Sequence, residues 1–262
     1  MRFRLPVAIA LLSALTLPHC ARFTDGIEVD VAYQPESTPA QIRTDMGYRV
    51  ALDRALLVVG KVELIQCDNF VADLLDFFAP ARAKAHAFDT PTTLGEPLVI
   101  DLMESSGTPQ YAGTMKPPPG RYCGIRVLGM PADQDAVGLT DENLEMMQHS
   151  VLIKGRVVDT TSDEESPLAA GIWEVLDCEM LFDRPLVFDS PALERVSIQI
   201  DHTSWFDGID FALQSEDAVQ QQITENVRSS LRAVLPFAED GLYIPRSRTT
   251  VSYTHHRAHQ TY

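Results

Sequence analysis

Valine and leucine crowd the segment YRVALDRALLVVGKVELIQC, residues 48–67, in a partly alternating order broken at Gly60. Alternation of this kind predicts one long or two short half-buried strands. A helix competes for the stretch, but its β-branched content and missing cap favour strand. Alternating or compact apolar runs recur in PLVIDLM (97–103), RYCGIRVLGMP (121–131), IWEVLDCEMLFDRPLVF (172–188), SVLIKGRVVD (150–159) and ERVSIQIDHTSWF (194–206). In the second of these, Tyr122, Gly124, Arg126 and Leu128 are expected on one face. Pro117, Pro118 and Pro119 cannot donate ladder hydrogen bonds, so they are expected outside the sheet, with Gly120 relaxing the chain into the strand. TTSDEESPLAAG (160–171) reads as an acidic loop.

Two segments carry helical spacing. Val71, Leu74, Leu75 and Phe78 fall at helical intervals before Pro80, which predicts a short helix or lid-like excursion. Val219, Ile223, Val227, Leu231 and Leu235 recur every four residues, with Asp217 placed to cap the start and Pro236 to end it. Many short strands punctuated by Pro and Gly turns, followed by one helix, predict a mainly β protein: an antiparallel β-sandwich of Greek-key, immunoglobulin-like type with a packed C-terminal helix.

The ends add a location. Residues 1–20 place Arg2 and Arg4 ahead of an apolar run from Leu5 to Leu17, the order of a secretory signal peptide and too short for a membrane span. Cys20 stands where a bacterial lipoprotein carries its lipid, although Pro18 and His19 make the motif degenerate; an ordinary cleavage site fits no better. Residues 21–44 read as a linker, 45–236 as the β-sandwich domain with its helix, and 237–262 as a flexible, basic tail. The expected location is therefore the periplasm, or the outer membrane through a lipid anchor, with no other membrane contact.

Composition narrows the partners. A net charge of -16 argues against nucleic acid, whose phosphates attract basic clusters that are missing here. Four cysteines, Cys20, Cys67, Cys123 and Cys178, include no C-x-x-C pair. Cys67 and Cys123 both lie at strand edges and are the favoured disulfide; Cys178 remains an alternative partner. The motifs G-x-S-x-G, H-E-x-x-H, G-x-x-x-x-G-K-[ST] and G-x-G-x-x-G are absent, so nothing in the sequence supports catalysis.

The order ALLVVGKVELIQCD, LVIDLM, GTMKPPPGRYCGIRVLGMPAD and LEMMQHSVLIKG, within residues 51–158, resembles the periplasmic copper-binding MbnP-like domain family. That resemblance implies copper as cofactor and a di-haem cytochrome as redox partner. The family's metal-site tryptophan and its histidine after the Gly-x-Pro step are not matched: Met146, Met147 and His149 stand near the first position, and Asp133 and Asp135 near the second.

Neutral imidazole is the commonest metal ligand, which makes His86, His149 and His202 the candidates within the domain, with His86 and His202 as the preferred pair. Asp201, Asp207 and Asp210 surround His202 in sequence. Trp205 and Phe206 beside it equally suit a core plug. Met147 with His149 offers soft ligands for Cu(I), against the commoner use of methionine as core filler. His255, His256 and His259 in the tail form a weaker candidate cluster.

Overall fold

The structure, a computed structural model, describes residues 26–67, 90–104 and 107–235. Among them the protein is mainly β, with twelve strands in two sheets and one α-helix. The first sheet contains β1 (Ile27–Pro35), β6 (Gln110–Met115), β11 (Ala192–Ile200) and β12 (Leu231–Val234), in the order β12-β11-β1-β6. The second is built on β3 (Tyr48–Gln66), flanked by β7 (Gly120–Gly129) and β8 (Val151–Asp159), with β10 (Leu176–Phe188) and β9 (Glu165–Ile172) outermost. Three short strands, β2 (Ile42–Arg43), β4 (Thr93–Leu94) and β5 (Leu98–Asp101), also pair with β3. Val29, Val31 and Ile198 from the first sheet and Leu57, Ile125 and Ile153 from the second belong to one hydrophobic cluster.

The folded body begins earlier than the sequence suggested. Residues 27–35, assigned to the linker because of the flanking polar residues and prolines, form an interior strand whose Ile27, Val29, Val31 and Tyr33 are buried. This strand also corrects the antiparallel expectation. β1 runs parallel to β11, with Ile27 opposite Ala192 and Pro35 opposite Ile200, while the other pairings are antiparallel.

β3 is one strand of 19 residues rather than two. Its register slips between Leu52 and Arg54, between Val59 and Lys61, and between Ile65 and Gln66. The break read at Gly60 is therefore a bulge, which bends a strand without ending it. The last slip has a further effect. Gly124 faces Ile65 and Tyr122 faces Gln66, so Cys123 is the extra residue. Beyond it the faces exchange: Tyr122 is buried, but it is Ile125 and Val127, not Arg126 and Leu128, that continue into the core. Cys123 is disulfide-bonded to Cys67, whose backbone N–H donates to Arg121 O at 3.0 Å. Cys178 is a buried free thiol. Pro117, Pro118 and Pro119 lie between β6 and β7.

The helix, α1, spans Glu216–Ser229 and is capped by Ser215, whose Oγ accepts the Ala218 N–H at 3.3 Å, rather than by Asp217. Ile223 and Val227 are fully buried. The four-residue rhythm misled at the far end. Leu231 opens β12 instead of extending the helix, because Ser230 terminates the turn and Leu231 pairs with Ile200 of β11. The acidic loop is likewise half strand, since β9 starts at Glu165. The helix expected around Val71 to Phe78 lies outside the described residues, as do the signal segment and the tail.

Candidate binding site

Of the expected metal ligands, His86, Cys20, His255, His256 and His259 fall outside the described residues. His202 is fully buried in the 310 helix His202–Phe206, which follows β11. Its Nε2 meets Thr38 Oγ1 at 2.6 Å, and Nδ1 has no hydrogen-bond partner. Burial holds its pKa below the ordinary value, the Ile200 backbone and the Asp201 carboxylate offsetting part of that shift. The Trp205 ring stands edge-on to it at 6.2 Å between centroids.

The acidic residues near His202 in sequence are engaged in holding loops. Asp201 accepts the Thr203 N–H at 3.1 Å and the Thr203 hydroxyl at 2.5 Å. Asp210 Oδ1 accepts from Tyr48 OH at 2.7 Å and from the Ala212 and Leu213 amides, and the Tyr48 bond holds its carboxyl below the usual range. Asp207 is pushed up, by burial first and then by the charges of Asp45 and Asp201. Trp205 and Phe206 fill the core at 0% exposure, and Trp205 Nε1 donates to Ser230 Oγ at 2.8 Å.

The Met147 and His149 pair sits elsewhere, after β7. Met146 is buried in a smaller cluster with Leu56, Val58 and Leu152, whereas Met147 is exposed, so the adjacent thioethers do not share a site. His149 Nδ1 donates to Glu145 O at 2.8 Å, and the opposite edge of its ring lies against Gly171, where an added Cβ would fall 2.5 Å from Cδ2 and Nε2. Among the described residues no group of three or more His, Cys, Asp and Glu side chains converges as it would around a metal ion.

A different feature emerges from packing. α1 reaches β9, at the outer edge of its sheet, where Gln220 Nε2 donates to Gly171 O at 2.6 Å. Covering an edge in this way satisfies backbone groups that would otherwise invite another strand. The connection that follows, Trp173–Val175 between β9 and β10, stays exposed: Trp173 at 64% and Val175 at 54%. Trp173 and Ile172 form one wall of a cleft of about 320 Å³, and Asp217, Gln221, Thr224 and Glu225 of α1 form the other. Ser150 Oγ, donating to the Glu174 and Ile172 carbonyls, fixes the connection from β8's side.

A larger cleft of about 650 Å³ lies by β5, lined by Arg54, Asp101, Glu104, Gln110 and Glu142 among others. Its guanidinium is already committed to Glu145 Oε1 at 3.2 Å and to Glu142 O at 2.8 Å. Of these two clefts the Trp173 cleft is the one lined by an exposed aromatic, and nothing in the sequence singled it out. Its only signal was a tryptophan beside a glutamate in a short connection, which resembles any apolar residue on its way into a strand. Compared with family models, with curated proteins and with solved structures, the chain matches none.

Proposed function

We propose that this chain is an exported interaction module of the bacterial cell envelope, a two-sheet scaffold of Greek-key, immunoglobulin-like type that binds another protein through the Trp173 connection. The single observation that carries this reading is an indole 64% exposed at the mouth of a cleft beside the exposed Val175, tryptophan being among the side chains most enriched at protein contact surfaces. Export, with or without a lipid on Cys20, is supported by the charged-then-apolar residues 1–20 and by the Cys67–Cys123 disulfide, which an oxidising compartment favours. The test is a photo-crosslinking side chain placed at position 173 of the full chain in cells, with one at the exposed Arg156 of β8 as the control. An adduct of defined mass at 173 and not at 156 is expected. Equal or absent crosslinking at both positions refutes the reading.

A second reading, transition-metal binding with copper foremost and a di-haem cytochrome as redox partner, follows the resemblance of residues 51–158 to the MbnP-like family. One observation favours it: the buried His202 imidazole keeps Nδ1 without a hydrogen bond, and burial favours the neutral form that ligates metals. Metal analysis of protein purified from the envelope, beside His86→Ala, His202→Ala, His149→Ala and Met147→Ala, tests it. Unchanged metal content in all four variants removes it.

A further inference from the structure

We infer that the Trp173 cleft receives an arginine-bearing basic segment of a partner protein, the guanidinium stacking on the indole between the carboxylates of the rim. This rests on the interaction-module reading and adds the chemistry of the partner. The aromatic wall is the starting point. Tryptophan is the best of the aromatic faces for a cation, and 64% exposure leaves the Trp173 face available to one.

The opposite wall supplies the sign of the charge. Asp217 and Glu225 line the cleft from α1, and Glu174 lines it from the connection itself. One cation answers these three carboxylates: Arg228 Nη1 lies 2.6 Å from Glu225 and Nη2 lies 3.6 Å from Glu174. Asp217, in the first turn of α1, has no ion-pair partner among the described residues. The cleft therefore keeps a net negative charge, within a chain of net charge -16 that steers basic surfaces toward it.

The shape favours a side chain over a flat surface. Gln220 Nε2 donates to Gly171 O, so the helix wall is tied to the sheet edge before any partner arrives, and Thr224, whose Oγ1 donates back to Gln220 O at 2.8 Å within the helix, is held in place along that wall. Binding to such a pre-formed wall costs little ordering entropy. Arginine fits better than lysine because its planar fork stacks on an indole and bonds carboxylates in pairs. Val175, 54% exposed on the same connection, gives apolar contact to the residues flanking the arginine.

The experiment uses the full chain and three probes: a blocked decapeptide of arginine, leucine and glycine, the same peptide with glutamate for arginine, and spermidine. Binding is read by calorimetry and by tryptophan emission, in which Trp205, fully buried, is the constant background. The arginine peptide is expected to saturate, to weaken as salt rises, and to lose about tenfold in affinity both in Trp173→Ala and in Asp217→Asn with Glu225→Gln. Equal binding of the glutamate peptide overturns the charge argument, and spermidine binding as tightly as the peptide makes this a site for small free amines instead. If no peptide binds while position 173 still crosslinks in cells, the basic-partner chemistry falls and the docking surface stands; if both fail, both fall.

Discussion

Removing the Cys67–Cys123 disulfide tests how much of the fold's stability comes from restricting the unfolded chain. The bridge closes a loop across a sequence separation of 56. Loop-closure entropy for that length is about 14 cal/mol/K, or about 4 kcal/mol at 25 °C. Little is added or removed on the folded side, because both cysteines are only half-buried and the bulge at Cys123 is also held by β-ladder bonds on either side. In the double variant Cys67→Ala/Cys123→Ala the folded state should therefore lose about 3–4 kcal/mol. With a urea m-value of about 3 kcal/mol per molar, the midpoint falls by about 1 M or slightly more. Equilibrium urea unfolding of the oxidised chain, the dithiothreitol-reduced chain and the double variant measures this, with thiols titrated in denaturant to verify reduction. In the folded chain Cys178 is buried and its thiol is pushed up to about 11, mainly by that burial, which suppresses exchange; unfolding removes that protection, so all samples carry Cys20→Ser and Cys178→Ser. A double variant within about 0.5 kcal/mol of the oxidised chain would refute the loop-closure reasoning, since that figure is the ordinary scatter of a surface substitution.

Three further outcomes follow from particular contacts. Trp205→Phe removes a fully buried indole and its bond to Ser230 and should cost about 2 kcal/mol in urea unfolding, leaving the emission of the exposed Trp173 shifted to the red. His202, its pKa depressed by burial from the ordinary 6.5, makes the unfolded state bind more protons as pH falls through 6.5; stability should decline over that window toward the lower folded pKa, and His202→Gln should flatten the slope measured between pH 7.5 and 5. Gly124→Ala places a Cβ 2.5 Å from the Met180 carbonyl of the neighbouring strand and should cost about 1–3 kcal/mol, whereas Gly60→Ala meets only the pliable Met130 side chain and should cost less by the same assay.

The class of fold was legible because alternation is a local signal. Segments such as SVLIKGRVVD and ERVSIQI declare half-buried strands through their own spacing, and β8 and β11 are found there. The cysteine pairing was legible for the same reason, since both residues sit at the ends of well-patterned strands that prove to be neighbours. What failed was non-local. That residues 27–35 are a core strand depends on pairing with residues 192–200, and no window around Pro35 contains that partner. The false extension of α1 past Ser229 is the same error in reverse: Leu231 keeps the helical interval but finds a better partner in Ile200. A bulge at Cys123 is equally silent in sequence, because the side-chain period of two cannot show where one residue is added.

The site was less legible still, and the two tryptophans show why. Trp205 stands in a loop-forming stretch among aspartates and histidine, where sequence invites a functional reading, yet its ring is at the bottom of the core. Trp173 stands at the entrance to a long strand, where sequence invites burial, yet it is 64% exposed. The difference arises from α1. Its Ile223 and Val227 face the core, while Asp217 and Glu225 on another side stand along the cleft. The helix satisfies the β9 edge through Gln220 and reaches the connection beyond it through the Arg228–Glu174 ion pair, leaving Trp173 uncovered. A helix that seals one stretch of an edge and leaves the next residue open, with its acidic side turned to that opening, creates a contact surface from elements that are individually ordinary. If Gln220→Ala frees α1 from Gly171, the cleft wall loosens and affinity for an arginine peptide should fall while the emission of Trp173 in the free protein barely moves; loss of neither, with peptide binding intact, would show that the wall is held by the core alone.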